Sequence, residues 1–370
     1  MKQLLNLKRN LLILLFPLSL MIIFLAKKSS FFAEEIFAKR IYRVISVVIS
    51  RISGIFPFSL AEICLLLLPI GLTVLMILLI IHLIKGKGRR KLIIGKAFIN
   101  ILCAVSSLYF IYVVACGVNY YRYPFSYYSH LQVLDSTEEE LFALCMLLAE
   151  QANVIRLQTT NEDEQGVFQL SMSIQELGKE MVKAYQKTAK EYSILSGWYP
   201  QPKAILFSDV MSRMELTGIY IPFTVEANVN VAIPDYSIPS TMGHEMAHQR
   251  GFMREDEANY IAYLVTINSD HVDLQYSGYM EALIIAGNAL YDKNVDLYRE
   301  VAATYSNEVR LDLNANSEYW RQFENQVISN TVENINNTYL VMNNQEDGIQ
   351  SYGRMVDLLL AEYRANYVVK

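Results

Sequence analysis

The sequence predicts a mostly α protein, with N-terminal transmembrane helices followed by an α+β domain that carries a small sheet. Three observations predict it. Three long apolar runs lie in the first third of the 370 residues, helix-periodic stretches fill most of the remainder, and short β-type runs are confined to residues 203–233. At roughly 100 to 200 residues per domain this length accommodates about two domains. They are placed at 1–118, in the membrane, and at 119–370, where no Pro/Gly/Ser-rich linker and no fixed-period repeat interrupts the chain.

The first span reads NLLILLFPLSLMIIFLA over residues 10–26, with Lys2, Lys8 and Arg9 before it and Lys27 and Lys28 after it. A secretory signal would end in small residues at a cleavage site, so an uncleaved helix is expected. The second and third spans, 59–84 and 92–118, both exceed the roughly 20 residues a bilayer core needs. Between them KGKGRRK places five positive charges in seven residues, a short loop of the kind retained in the cytoplasm. The N-terminus is therefore expected in the cytoplasm and everything after about residue 118 outside it. Residues 31–58 are amphipathic, with Ile36, Ile41, Val44, Ile45, Val48 and Ile49 at helical spacing and Lys39, Arg40, Arg43 and Arg51 among them. They predict a helix lying in the membrane interface. The following NYYRYPFSYY fits an interfacial aromatic belt.

Charge divides the same way. Fifteen of the 32 Lys and Arg precede residue 117 against three acids, which leaves +12 there and −17 in the rest. A domain that acidic lacks the basic patch nucleic-acid phosphates require, so nucleic acid is excluded as a partner. The cysteines at 64, 103, 116 and 145 form no CxxC pair or disulfide framework and read as small apolar residues.

In the second domain, Ser136-Thr137-Glu138-Glu139 is a capping box opening a helix to about Ile155, and a further helix is expected from about Ser173 to Leu195. KAILFS, GIYIPF and ANVNVAIP follow as strands. In the last, Ala227, Val229, Val231 and Ile233 share one face and Asn228 and Asn230 the other. Pro239-Ser240-Thr241 introduces the next helix, and helical stretches at about 255–268, 277–290, 294–309, 316–338 and 349–365 complete the domain.

That helix carries His244-Glu245-Met246-Ala247-His248. Residues four apart on a helix lie about 40° from superposition, so both imidazoles face one ion, with Glu245 beside them. Two neutral nitrogens holding zinc and a carboxylate that moves a proton are the parts of metal-assisted hydrolysis. With five histidines and 37 acids, random placement gives this pattern in fewer than roughly one chain in a hundred. A third ligand is required if one position is to stay open for water. In an unbroken helix Glu255 would lie about 10.5 Å beyond His248. Gly251, in the left-handed conformation, would end the helix and fold the chain back.

HEMAHQRGFMREDEAN resembles the zincin metallopeptidases. The metzincin third ligand would be a histidine where Arg254 stands, whereas Glu255-Asp256-Glu257-Ala258-Asn259 is similar to the second-helix pattern of the gluzincins. That resemblance implies Glu255 as third zinc ligand, with Glu257 as the alternative, and Asn259 as a partner orienting a ligand histidine. It further implies one zinc per chain, Glu245 as the proton-transfer group and a protein or peptide substrate. His271, Tyr276 and Tyr279 are candidates for stabilising an oxyanion, a role zincins give to such residues. The whole chain, with YSGY and the terminal DGIQSYGRMVDLLL, also looks like a family of uncharacterised bacterial three-span membrane proteins, which implies a bacterial cell membrane.

Two functions remain in view, a zinc peptidase at the outer membrane face and a catalytically silent zincin-fold scaffold or assembly factor. Only the first needs Glu245. In the first, the strand carrying Ala227, Val229 and Val231, about ten residues before His244, is expected to be an edge that pairs with an extended substrate. A transporter finds little support, since the spans hold almost no buried charge.

Overall fold

The structure is a computed structural model that describes residues 8–324, 326–343, 345 and 354–368. Three helices are long and apolar enough to cross a membrane, Lys8–Lys28, Leu60–Lys85 and Arg90–Ala115. The protein is a membrane protein, mostly helical, with one small sheet. We label the α-helical part of the first span α1 (Leu15–Lys28), the second α3 (Leu60–Lys85) and the third α4 (Arg90–Ala115). The third span stops three residues short of the expected 118, because Cys116 leaves helical geometry and a 3-10 turn, Gly117–Tyr121, follows. Along α3 the long aliphatic side chains from Leu65 to Ile84 stand exposed, as lipid-facing residues must.

Between the first two spans a π-helical stretch, Phe32–Tyr42, runs directly into α2 (Arg43–Ser53). Its amphipathicity is inverted relative to a surface helix. Ala33, Glu34, Phe37, Ala38, Tyr42, Ser46, Ser50 and Ser53 turn inward onto protein, while Ile36, Ile41, Val44, Val48, Ile52 and Ile55 are exposed. An outward apolar stripe of this kind needs a cover, which lipid at a membrane interface would supply.

The same segment is fastened to the C-terminal domain. Lys203 Nζ donates to the carbonyls of Ser53 (2.9 Å), Phe56 (2.5 Å) and Phe58 (2.9 Å) and pairs with Glu226 at 3.2 Å. Glu226 in turn accepts from the backbone N–H groups of Leu60 (3.1 Å) and Ala61 (2.8 Å), two of the orphan donors at the start of α3. Glu62 accepts from Leu206 N and Phe207 N. Residues 31–62 are therefore fastened to the C-terminal domain, and residue 118 is no clean boundary between independent units. Phe37, Tyr42, Val113, Cys116, Tyr120 and Met253 pack in one cluster across it. The tyrosine-rich segment belongs to this junction more than to an aromatic belt, since Tyr120, Arg122 and Phe125 are buried and Tyr127 is exposed.

Beyond the junction, α5 (Glu138–Arg156) opens on a capping box of Thr137 and Glu140, one residue later than expected from Ser136. α6 (Ile174–Thr188) has a second box, Ser173 with Glu176, and ends seven residues before Leu195, where a separate 3-10 turn, Ser193–Leu195, takes over. The sheet has three strands, β1 (Lys203–Ala204), β2 (Gly218–Ile221) and β3 (Glu226–Val229), in the order β1-β3-β2. β3 is parallel to β1 and antiparallel to β2, with Gly218 opposite Val229 and Tyr220 opposite Ala227.

This corrects the expected substrate edge. β3 is the central strand, Ala227 and Val229 are fully buried in the core, and Val231 lies past its end with its N–H bonded to Ser208 Oγ. The alternation seen in the sequence came from an interior strand whose asparagine face is also buried. Asn230 Nδ2 donates to Ser212 Oγ and the Leu216 carbonyl, so polar residues there do not signal solvent.

The remaining elements are α7 (Ser237–Gln249), α8 (Glu255–Ile267), α9 (Val272–Lys293), α10 (Val295–Ala303), α11 (Asn307–Arg321), α12 (Gln326–Met342) and α13 (Met355–Tyr363). The expected helix at 294–309 is broken by a turn at residues 304–306, where Ser306 caps α11. Residues 349–353 of the last expected helix lie outside the described residues. α5, α7, α8, α9 and α13 enclose one hydrophobic core, with Met242, Met246, Ile261, Leu274 and Leu283 almost wholly buried, each such side chain contributing about 1.5–3 kcal/mol by leaving water.

Candidate metal centre

α7 runs through the core so that Met242, Met246 and Ala247 face the apolar interior, which leaves His244 and His248 on the opposite side. The helix ends at Gly251, whose φ of +86° is the left-handed conformation open to glycine. The space around it is equally restrictive. A Cβ there would stand 2.9 Å from Arg122 Nη1 and 3.0 Å from Tyr42 Cε1. The chain then reverses into α8, and Glu255 in its first turn comes back to the histidines instead of lying a turn and more beyond them.

Three ligand atoms converge. His244 Nε2 lies 3.0 Å from His248 Nε2, and Glu255 Oε2 is 3.0 Å from the first and 3.6 Å from the second. The other ring nitrogens are committed, His244 Nδ1 to Asn259 Oδ1 at 2.6 Å and His248 Nδ1 to the Phe252 carbonyl at 2.7 Å. Both partners accept, so each Nδ1 carries a proton, and in the neutral rings each Nε2 is left to present a lone pair. Two lone pairs and a carboxylate facing one point repel unless a cation or a proton lies among them. About 3.3 Å separates two nitrogens bound tetrahedrally at about 2.05 Å from zinc, so the spacing suits that ion. Among the described residues this trio forms a group able to hold a metal ion.

The electrostatics reflect the same crowding. Burial disfavours the imidazolium of His244, but the hydrogen bond and charge of Glu255 outweigh it and hold the ring at about 9. Burial pushes Glu255 up, yet the charge of His248 and hydrogen bonds from both histidines hold its carboxyl at about 2. For Glu245, burial dominates and raises the carboxyl above its ordinary value despite the two histidines. Glu245 is 5% exposed, and its Oε2 has no hydrogen-bond partner.

Of the other residues singled out in the sequence, the structure brings Asn259 to the cluster and leaves the rest away from it. Glu257 points elsewhere, accepting from Phe125 N at 2.7 Å and pairing with Arg254 at 2.5 Å. His271 caps α9, its Nδ1 accepting from Asp273 N at 3.2 Å. Tyr276 is buried and donates to Asp312 Oδ2 at 2.5 Å, where Arg156 also binds. Tyr279 packs on Tyr263. None of these three tyrosine and histidine candidates is placed to meet an oxyanion. They are structural: a helix cap, a core hydrogen bond and a ring contact.

Other residues at the site were not singled out in the sequence. Tyr42 OH donates to the carbonyls of His248 (3.3 Å) and Gln249 (3.0 Å), and Arg122, bound in a fork by Glu34, donates to the Arg250 carbonyl at 3.0 Å. The end of the ligand helix is thus held by the membrane-side segment. Gly218 of β2 lies directly against Glu245. A cleft of about 770 Å³ opens over His244 and Glu245, walled by the segment leading into β2 on one side and by α9 on the other. No local sequence signal marks Tyr42 or Gly218, because their relation to the motif is made by the fold.

No curated protein and no solved structure matches this chain. A family model described as protein of unknown function (DUF3810) matches residues 37–360, a span that takes in every residue of the cluster, and the chain belongs to that family.

Proposed function

We propose that the protein is a membrane-anchored zinc-dependent peptidase of gluzincin type, cleaving proteins or peptides at the extracytoplasmic face of a bacterial cell membrane. The observation that carries this reading is the convergence of His244 Nε2, His248 Nε2 and Glu255 Oε2, all within 4.8 Å of one another, beside an unpartnered Glu245 carboxylate in an open cleft. A scaffold would need the three ligands but not a buried, unpaired carboxylate, whose desolvation is costly.

Zinc held by His244, His248 and Glu255 would supply Lewis acidity, polarising a peptide carbonyl and acidifying water. Asn259 and the Phe252 carbonyl fix the tautomers so that both Nε2 atoms stay available. Glu245, its carboxyl raised by burial toward working pH, accepts the proton of the attacking water and delivers it to the departing amine. The edge that receives an extended substrate is β2. Val229 O accepts from Ile205 N of the chain beyond β1, and Asn230 N donates to Thr217 O. By the alternation of an antiparallel ladder, Gly218 and Tyr220 turn their backbone groups away from β3, toward the open side of the sheet.

The test uses the full chain in detergent, because truncation at residue 118 would remove Tyr42 and Glu34 from the ligand helix. One equivalent of zinc and cleavage of a mixed peptide library are expected, with cleavage lost and zinc kept in Glu245→Gln. A metal-loaded wild type that cleaves nothing in the library would overturn the reading in favour of a scaffold.

A further inference from the structure

One wall of the cleft is a single face of α9. Glu281, Ile285, Asn288, Ala289 and Asp292 all line it and recur at helical spacing. The opposite wall brings Glu215, and α12 brings Glu333 to the rim. The cleft continues past Glu281 into a second chamber of about 470 Å³ where Trp320 and Glu324 join the lining. Among the described residues, no lysine or arginine lines either chamber, although the domain from residue 117 onward contains 17.

Two carboxylates in this cleft stand out from an ordinary acidic surface. Glu245 is nine-tenths buried, lines the cleft, and keeps one oxygen without a partner. Glu281 is half-buried and lies where the two chambers meet, lining both. A half-buried carboxylate gains most from a cation that arrives with its own hydrogen bonds.

We propose that the cleft selects substrates with a cationic nitrogen close to the bond positioned at the metal centre, and that Glu281 is the carboxylate that receives it. This rests on the peptidase reading and supplies its substrate class. Two sources share the chemistry, a lysine or arginine side chain within the peptide and the free ammonium of a peptide N-terminus. Trp320 in the adjoining chamber offers an aromatic face to either.

The experiment measures binding apart from cleavage. Zinc-loaded full-length Glu245→Gln protein in detergent is titrated at low salt with fluorescein-labelled Ala/Gly peptides carrying one central Lys, norleucine or Glu, each with a free or an acetylated N-terminus. A peptide with the cation should bind at least about tenfold more tightly than acetylated norleucine peptide. Adding Glu281→Gln should reduce that preference below about threefold, and Glu281→Lys should reverse it toward the Glu peptide. Preference that follows the lysine, or the free terminus, identifies the source. Equal binding of Lys and norleucine peptides by the parent, a preference unchanged in Glu281→Gln, or binding of none of the probes overturns the inference. Cleavage by the wild type without charge preference overturns it too and leaves the peptidase reading standing. Selective binding without any cleavage does the opposite.

Discussion

Gly218 and Glu245 are in contact across the cleft: a Cβ on residue 218 would stand 2.5 Å from Oε1 and 2.8 Å from Cγ of Glu245. A side chain there would push Glu245 and Thr241, whose Cγ2 would also lie at 2.8 Å, so this close approach of strand edge and carboxylate depends on residue 218 having none. A substrate backbone on β2 would therefore lie within reach of Glu245.

Gly218→Ala should leave zinc content unchanged, since no ligand is touched, and lower kcat/KM for peptide cleavage by about tenfold to hundredfold as Glu245 is displaced. Metal analysis beside steady-state kinetics decides it. A variant that cleaves at the parent rate would show that Glu245 and β2 are not coupled.

The two acids of Glu255-Asp256-Glu257 should separate cleanly. His244→Ala, His248→Ala and Glu255→Ala should each lose the metal. Glu257→Ala should keep it and instead lower stability by about 1–3 kcal/mol, through the unpaired Phe125 N–H and the freed Arg254. Asn259→Ala should weaken zinc affinity by about tenfold to hundredfold with the fold intact. Loss of the ion in Glu257→Ala but not in Glu255→Ala would refute the ligand assignment.

The sequence made His244, Glu245, His248, Glu255 and Asn259 legible because they lie within 16 residues, where helix spacing and one glycine fix their geometry. The spans were legible for the same local reason, an unbroken apolar run. What failed was everything decided by long-range pairing. The alternation at Ala227 to Ile233 gave a strand but could not say whether it was central. Nor could it reveal that Asn228 and Asn230 are buried with backbone and hydroxyl partners. Tyr276 sat close behind the motif in sequence, yet it turns to Asp312, 36 residues downstream. Tyr42 supports the histidine helix from 206 residues away.

That relation predicts that Tyr276→Phe costs stability and spares catalysis. Removing the hydroxyl leaves Asp312 with Arg156 and the Phe168 N–H as partners, so a loss of about 1–2 kcal/mol is expected. The kcat for peptide cleavage should change by less than about twofold. A fall of a hundredfold or more in kcat, with thermal stability intact, would return Tyr276 to the chemistry.

Glu362 near the end of α13 gives the protein a pH-dependent stability of definite sign. Burial pushes its carboxyl up to about 7, opposed by the neighbouring Tyr260 hydroxyl and helped by the charge of Glu191. The folded chain thus holds this proton more tightly than the unfolded chain. The stabilisation is complete below the ordinary carboxylate range and is lost as pH rises through about 7. Glu362→Gln mimics the neutral form at every pH. Between pH 5 and pH 8 the stability of wild type relative to this variant should fall by on the order of 2 kcal/mol, read from unfolding in detergent. A difference that stays constant with pH would remove the assignment.

The proposed orientation in the membrane rests on two independent observations, which a labelling experiment can test together. The KGKGRRK loop between α3 and α4 favours the cytoplasm. The bonds from Lys203 and Glu226 to residues 53–61 place the amphipathic segment and the C-terminal domain on the opposite side from it, together. Single cysteines test both, because Cys103, Cys116 and Cys145 are buried and only Cys64 needs replacing by serine. A membrane-impermeant maleimide added to intact cells should label Arg40→Cys and Lys179→Cys, and should label Gly88→Cys only after permeabilisation. The reverse pattern would invert the topology and move the cleft to the cytoplasm. Labelling that divides Arg40→Cys from Lys179→Cys would contradict the packing itself, since a bilayer cannot separate two segments joined by the Lys203–Glu226 pair.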